Sequence, residues 1–121
     1  MPYRLAGKAE DRLDEMLLES AREWGIEGAG RYHRLVLAAM NAIGDTPALR
    51  GSRPVPRLTG VRTLHLRSAR RFLASEPTVG RPRHLIVYRV AADNVVEILG
   101  FVHDRMLLER AVRRVQSEAE R

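Results

Sequence analysis

His84-Leu85-Ile86-Val87-Tyr88-Arg89-Val90, the turn Ala91 to Asn94, and Val95-Val96-Glu97-Ile98-Leu99 decide the fold of this chain. Their β-branched and apolar residues mark two strands, and the short polar turn joins them as a hairpin. The apolar character is too continuous for one face of that hairpin to lie in water. Phe101-Val102-His103-Asp104-Arg105-Met106 follows at once. A His beside an Arg at a strand end, just before a helix, is placed to touch something outside the domain.

Upstream of the hairpin, Val61 to Leu66 alternates as a strand, with Leu64 and Leu66 on one face and His65 on the other. Ser68 to Pro82 is irregular. Ala69 to Ala74 fits a short turn of helix, while Pro77, Gly80 and Pro82 predict a long excursion. Arg50 to Gly60, with Gly51, Pro54 and Pro56, reads as an extended loop.

Further upstream, Leu13, Met16, Leu17, Ala21 and Trp24 recur every three or four residues, the buried stripe of a helix from Lys8 to Trp24. Gly25 ends it. A second stripe through Ala29, Tyr32, Val36, Ala39, Met40 and Ile43 stops at Gly44-Asp45-Thr46-Pro47. Helices joined so closely pack as an antiparallel hairpin. Tyr3-Arg4-Leu5 suits a short first strand. Met106, Leu107, Leu108, Ala111, Val112 and Val115 predict a C-terminal helix, with a charged tail over 116–121. The expected architecture is α+β: an N-terminal helical hairpin packed on a small, mostly antiparallel β-sheet, followed by a C-terminal helix.

A chain of 121 residues suits a single domain spanning 1–121. The absence of cysteine removes disulfides, thiolate catalysis and cysteine metal sites. Met1-Pro2-Tyr3-Arg4-Leu5 leads straight into charged residues and does not read as a signal peptide, so a cytoplasmic protein without membrane contact is expected. The net charge of +6 is uneven. Acids crowd the first helix, whereas between Thr46 and Ala92 the only acid is Glu76, set against Arg residues from Arg50 to Arg89. That basic middle invites an acidic partner, nucleic acid or polypeptide.

Chemistry-bearing motifs are sparse. His33, His65, His84 and His103 show no helical metal spacing, so no metal and no cofactor are expected. Gly25, Gly28 and Gly30 follow a helix rather than a strand and are turn glycines, not a phosphate cradle. Ser52, Ser68 and Ser75 lie in no nucleophile elbow. Trp24 and Tyr32 fall on core stripes, and the Tyr88 ring is expected inside the sheet with its hydroxyl on a polar partner. Arg62, Arg67, Arg89, His103 and Arg105 remain as candidate chemistry near the sheet. They fit either a grip on an acidic partner or a proton-shuttling His with Arg groups around a phosphorane. Residue types alone favour the grip.

At these residues the chain resembles the ParE toxins of the RelE/ParE superfamily, the toxic half of type II toxin–antitoxin modules. The resemblance runs from Tyr3 to about Arg113. It includes Tyr3-Arg4-Leu5, Trp24-Gly25 between charged helices, Arg31-Tyr32, Asn41 to Pro47, Gly60-Val61-Arg62, His84 to Val90, Val96 to Leu99, and His103-Asp104-Arg105-Met106. It implies a non-catalytic toxin that binds DNA gyrase and blocks replication. It also implies a cognate ParD-like antitoxin, which wraps the toxin and supplies the contact with DNA. Binding of antitoxin or target would then fall near Arg62, Arg67, Arg89, His103 and Arg105. RelE-like ribosome-dependent mRNA endonucleases share the fold and are the alternative. Some of them carry Tyr where this chain has Asp104, and they commonly use a Lys, whereas Lys8 is the only lysine here. The segment 68–83 departs from the short turn of most relatives. Its Arg70, Arg71, Phe72 and Arg81 suit a target-contacting insertion. Truncation from His103 onward is expected to abolish toxicity while leaving a foldable core.

Overall fold

The computed structural model describes residues 3–73, 79–106 and 108–120. Glu76, Leu107, Arg121 and the middle of the 68–83 insertion therefore lie outside the described residues. The hairpin strands read from the sequence are β4 (His84–Val90) and β5 (Val96–His103), turned by Ala91 to Asn94. Asn94 takes the left-handed conformation (φ 67°), which its short polar side chain tolerates better than most. β3 (Val61–His65) pairs antiparallel with β4, and β1 (Tyr3–Leu5) pairs parallel with β5.

A further strand, β2 (Ser52–Pro54), edges the sheet against β3, so the order is β1-β5-β4-β3-β2. The segment expected to be loop therefore contains a strand. Three residues ending in proline carry no alternation to announce one, and proline suits an edge where its missing N–H is not needed. Leu66 opens a 3-10 helix, Leu66–Leu73, instead of closing β3.

α1 spans Ala9–Asp45, but Gly25 inside it has φ 79° and ψ 175°, far from helical values. Met16 before the break and Tyr32 after it line one cavity. A straight helix would hold them roughly 24 Å apart, so the chain folds back at Gly25. A Cβ on Gly28 would lie 2.5 Å from the Trp24 Cβ, which shows how tight the reversal is. Placed at this tip, Trp24 is 68% exposed rather than part of the core. Its spacing put it on the stripe, but the chain turns one residue later.

The sheet is covered on both faces. α1 packs Leu13, Met16, Leu35, Val36, Met40 and Ile43 against Leu64, Ile86, Tyr88, Val96 and Ile98. On the opposite face α2 (Leu108–Ala119) sets Ala111, Val112 and Val115 against Val61, Val87, Leu99 and Val102. α2 approaches closely because Gly100 has no side chain; a Cβ there would meet Val115 Cγ1 at 2.6 Å. Removing the chain from His103 onward would strip that cover from β3, β4 and β5.

Gly25 occupies a backbone region open essentially to glycine alone. Gly25→Ala is expected to cost about 1–3 kcal/mol in urea denaturation. An unchanged midpoint would mean that the reversal relaxes elsewhere.

Candidate functional site

The polar cluster of this protein is set by a bulge in β5. Val87 pairs with Gly100 and Tyr88 with Ile98, so Leu99 is an extra, unpaired residue. A bulge shifts the alternation of the strand beyond it. Gly100 and Val102 thereby face α2, and His103 comes to the α1 side opposite its partner His84.

There His103 and His84 meet edge to face, 5.2 Å between ring centroids, and Tyr32 from α1 meets His84 at 5.7 Å. The Arg83 backbone N–H donates to the Tyr32 hydroxyl at 3.1 Å. The same hydroxyl is hydrogen-bonded to His84 Nδ1 at 2.7 Å. Burial pushes Tyr32 up to about 12, so it stays a protonated donor. Burial, then the neighbouring His103, pushes His84 down to about 4. His84 is therefore neutral at neutral pH, with Nδ1 occupied.

Asp104 ties the same sheet end together. His65 Nδ1 accepts from the Arg67 N–H at 3.1 Å, so its Nε2–H is left to donate to Asp104 Oδ2, also 3.1 Å. Arg83 Nε donates to Asp104 Oδ1 at 3.2 Å. Burial acts against the Asp104 charge, but the His65 hydrogen bond and the Arg83 charge outweigh it and hold the carboxyl below its usual range. His103 Nδ1 accepts from the Arg105 N–H at 3.1 Å.

Between this cluster and the helical hairpin lies a cleft of about 430 Å³. Its helical wall carries Met16, Trp24, Gly28 and Tyr32, and its sheet wall Arg83, His84 and His103. Glu19, Glu23, Arg31 and Arg81 also line it. At the turn of the helical hairpin Trp24 and Ile26 (86% exposed) leave an apolar tip uncovered. Among the described residues no three His, Asp or Glu side chains are grouped to hold a metal ion.

The structure does not gather the residues expected to bind. Arg62 and Arg89 lie on opposite faces, because Arg62 is in register with Tyr88 and Arg89 with Val61. Arg62 Nε donates to Ser52 Oγ at 2.8 Å, beside the Tyr88 hydroxyl, which donates to the Pro47 carbonyl. Tyr88 is fully buried with its hydroxyl partnered, as its sequence setting predicts. Arg89 is held by Glu97 (2.8 Å) and faces Glu120 (3.6 Å), while Arg4 grips the other Glu97 oxygen (3.0 Å). These bonds, that of Arg89 foremost, hold Glu97 below the usual carboxylate range. Arg67 and Arg105 are exposed, and only His103 of the set reaches the cleft.

In the insertion, Arg70 donates to the Gly80 carbonyl (3.0 Å), and Arg71 to the Arg50 carbonyl (3.0 Å) while lying over Phe72, 4.6 Å from its ring centre. Arg81 alone of that group lines the cleft. Tyr32, Arg83 and His84 were not singled out from the sequence as site residues. Their signal is weak: His84 and His103 open and close the two hairpin strands, but the pairing depends on the bulge.

A family model described as the ParE toxin of the type II toxin–antitoxin system, parDE, matches residues 3–108. A similar curated protein is Toxin ParE1 of Caulobacter vibrioides, 30% identical over 105 residues, which cover 87% of this chain and 91% of the relative.

The folded pKa of His84 lies below its ordinary 6.5, so the unfolded chain takes up the proton first as pH falls. Stability present at pH 7 is then lost between 6.5 and about 4. A loss of about 2–3 kcal/mol is expected across that window, measured by urea denaturation. His84→Gln should flatten most of it, and a variant that keeps the full slope would assign the effect to other groups.

Proposed function

The chain belongs to the ParE toxin family of type II toxin–antitoxin systems, and from that premise we propose that it arrests growth in the cytoplasm by binding DNA gyrase, with no catalysis of its own. The state of the polar cluster carries the non-catalytic part of this reading. A general base needs a pKa near the working pH and a lone pair turned to substrate. Tyr32, pushed up to about 12, is a donor, and His84, pushed down to about 4, has its Nδ1 taken by Tyr32. The cluster is suited to holding β4, β5 and α1 together.

The surface beside it suits binding. Exposed Trp24, Ile26 and Leu18 crowd the hairpin, and Arg31 and Arg81 line the cleft. In this reading a ParD-like antitoxin lays an extended tail over tip and cleft, apolar side chains on Trp24 and Ile26, carboxylates on the arginines. The complex reaches DNA through the antitoxin. Arg67, His103 and Arg105 keep exposed surface for antitoxin or target, whereas Arg62 and Arg89 act by holding the sheet.

One observation favours a RelE-like mRNA endonuclease as the second reading. His103 lines the cleft with Nδ1 already accepting a hydrogen bond, so Nε2–H is left to donate beside Arg81 and Arg83. Purified protein separates the two readings. Inhibited supercoiling with accumulated cleaved DNA, and intact ribosome-bound mRNA, is the expected result; cut mRNA with unaffected gyrase replaces the proposal with the second reading. An essential acid or base contributes roughly 10²–10⁴-fold, so His103→Ala should weaken growth arrest by far less than that if no such step exists. For the antitoxin surface, Trp24→Ala is expected to weaken antitoxin binding by about 2 kcal/mol in calorimetry without lowering the melting temperature. Unchanged affinity would move the antitoxin away from the hairpin tip.

A further inference from the structure

The arginines of this protein divide by what neutralises them. Arg4, Arg12, Arg83, Arg89 and Arg113 each have a carboxylate within ion-pair distance. Along the β2 edge and the 3-10 helix, Arg50, Arg53, Arg57, Arg67, Arg70 and Arg71 have none among the described residues. All but Arg70 of these six are exposed.

The stripe is partly pre-shaped. Arg71 donates to the Ser68 and Arg50 carbonyls, and Arg70 to the Arg67 and Gly80 carbonyls. A carbonyl fixes a guanidinium without cancelling its charge, so the positive potential stays available to an outside anion. Arg57, in the turn before β3, and Arg67, just past its end, bracket a strand about 17 Å long. Arg53 lies between them in register with Thr63.

We propose that this edge of the toxin itself grips a nucleic-acid phosphate backbone, with Arg53, Arg57 and Arg67 as the principal contacts. The proposal rests on this surface alone and does not depend on gyrase being the target. An acidic polypeptide is the competing ligand, and two observations argue against it. Among the described residues the large apolar side chain exposed on this edge is Phe72, and the Arg71 guanidinium lies over its ring, so around Arg53, Arg57 and Arg67 a peptide that orders on binding finds no apolar anchor. Pro54 on β2 also blunts the edge against an added strand. A phosphate backbone needs neither, because charge and hydrogen bonds supply its affinity.

Fluorescence anisotropy of a labelled 20-base-pair duplex and of a single-stranded RNA of equal phosphate count, with purified toxin and no other protein, tests this. For about four phosphates neutralised, affinity should fall about a hundredfold between roughly 50 and 200 mM salt. The combined Arg53→Gln, Arg57→Gln and Arg67→Gln variant should bind at least about tenfold more weakly, with the salt slope reduced by about 2.7, and each single substitution should remove about 0.9 of it. Arg110→Gln, Arg113→Gln and Arg114→Gln on α2 remove the same charge elsewhere and should change affinity less than threefold. Duplex preference assigns DNA as the source of the phosphates, and RNA preference assigns RNA. Equal losses in the two triple variants would reduce the effect to net charge and overturn the proposal. So would binding to polyglutamate in place of either nucleic acid, or no salt-dependent binding at all.

Discussion

One extra residue in β5 sets the geometry on which the rest depends. Leu99, unpaired opposite the Val87–Tyr88 step, reverses which way the remainder of the strand faces. Before the bulge, Val96 and Ile98 face α1; after it, Phe101 does. Gly100 is thereby turned to α2, where its missing side chain admits Val115. Without the shift, α2 would stand off the sheet and His103 would leave His84. The seat of the last helix and the assembly of the polar cluster have a common cause.

Charge is arranged in two modes. Toward β1, β5 and α2, guanidiniums and carboxylates alternate across strands, as in Arg4, Glu97, Arg89 and Glu120, and Arg12 reaches Glu118 at 2.9 Å. These pairs are partly exposed and contribute modestly to stability, but they fix the register of short elements. Toward β2 and the 3-10 helix, Arg50, Arg53, Arg57, Arg67, Arg70 and Arg71 have no carboxylate within ion-pair distance among the described residues, so that edge keeps its positive charge.

The sequence carried what periodicity can carry. β4 and β5 announce themselves because both faces are buried, so nearly every residue is apolar or β-branched, and α1 shows its stripe for the opposite reason, having one wet face. β2 could not be read, because three residues with a proline contain no period. Trp24 was misplaced because helical spacing says nothing about a chain that reverses at the next residue. The binding set drawn from the sheet was dispersed for a related reason. Arg62 and Arg89 sit on neighbouring strands, but register decides the face, and register is not a local property. Simple alternation along β5 would set His103 across the sheet from Val96 and Ile98. Only the bulge returns it to their side, so the His84–Tyr32–His103 cluster was legible residue by residue and not as a site.

The parallel pairing of β1 with β5 has a consequence for synthesis. Tyr3 meets Val96 and Leu5 meets Ile98, and Gly7 lies against Ala119 closely enough that a Cβ would sit 2.6 Å from its Cα. β1 has no partner until some ninety residues later in the chain, and one face of the sheet has no cover until α2 follows. α1 can form early from local contacts, but closure of the sheet is a late, long-range event. A chain made only as far as β5 carries the helical hairpin on one face of a sheet whose other face still waits for α2.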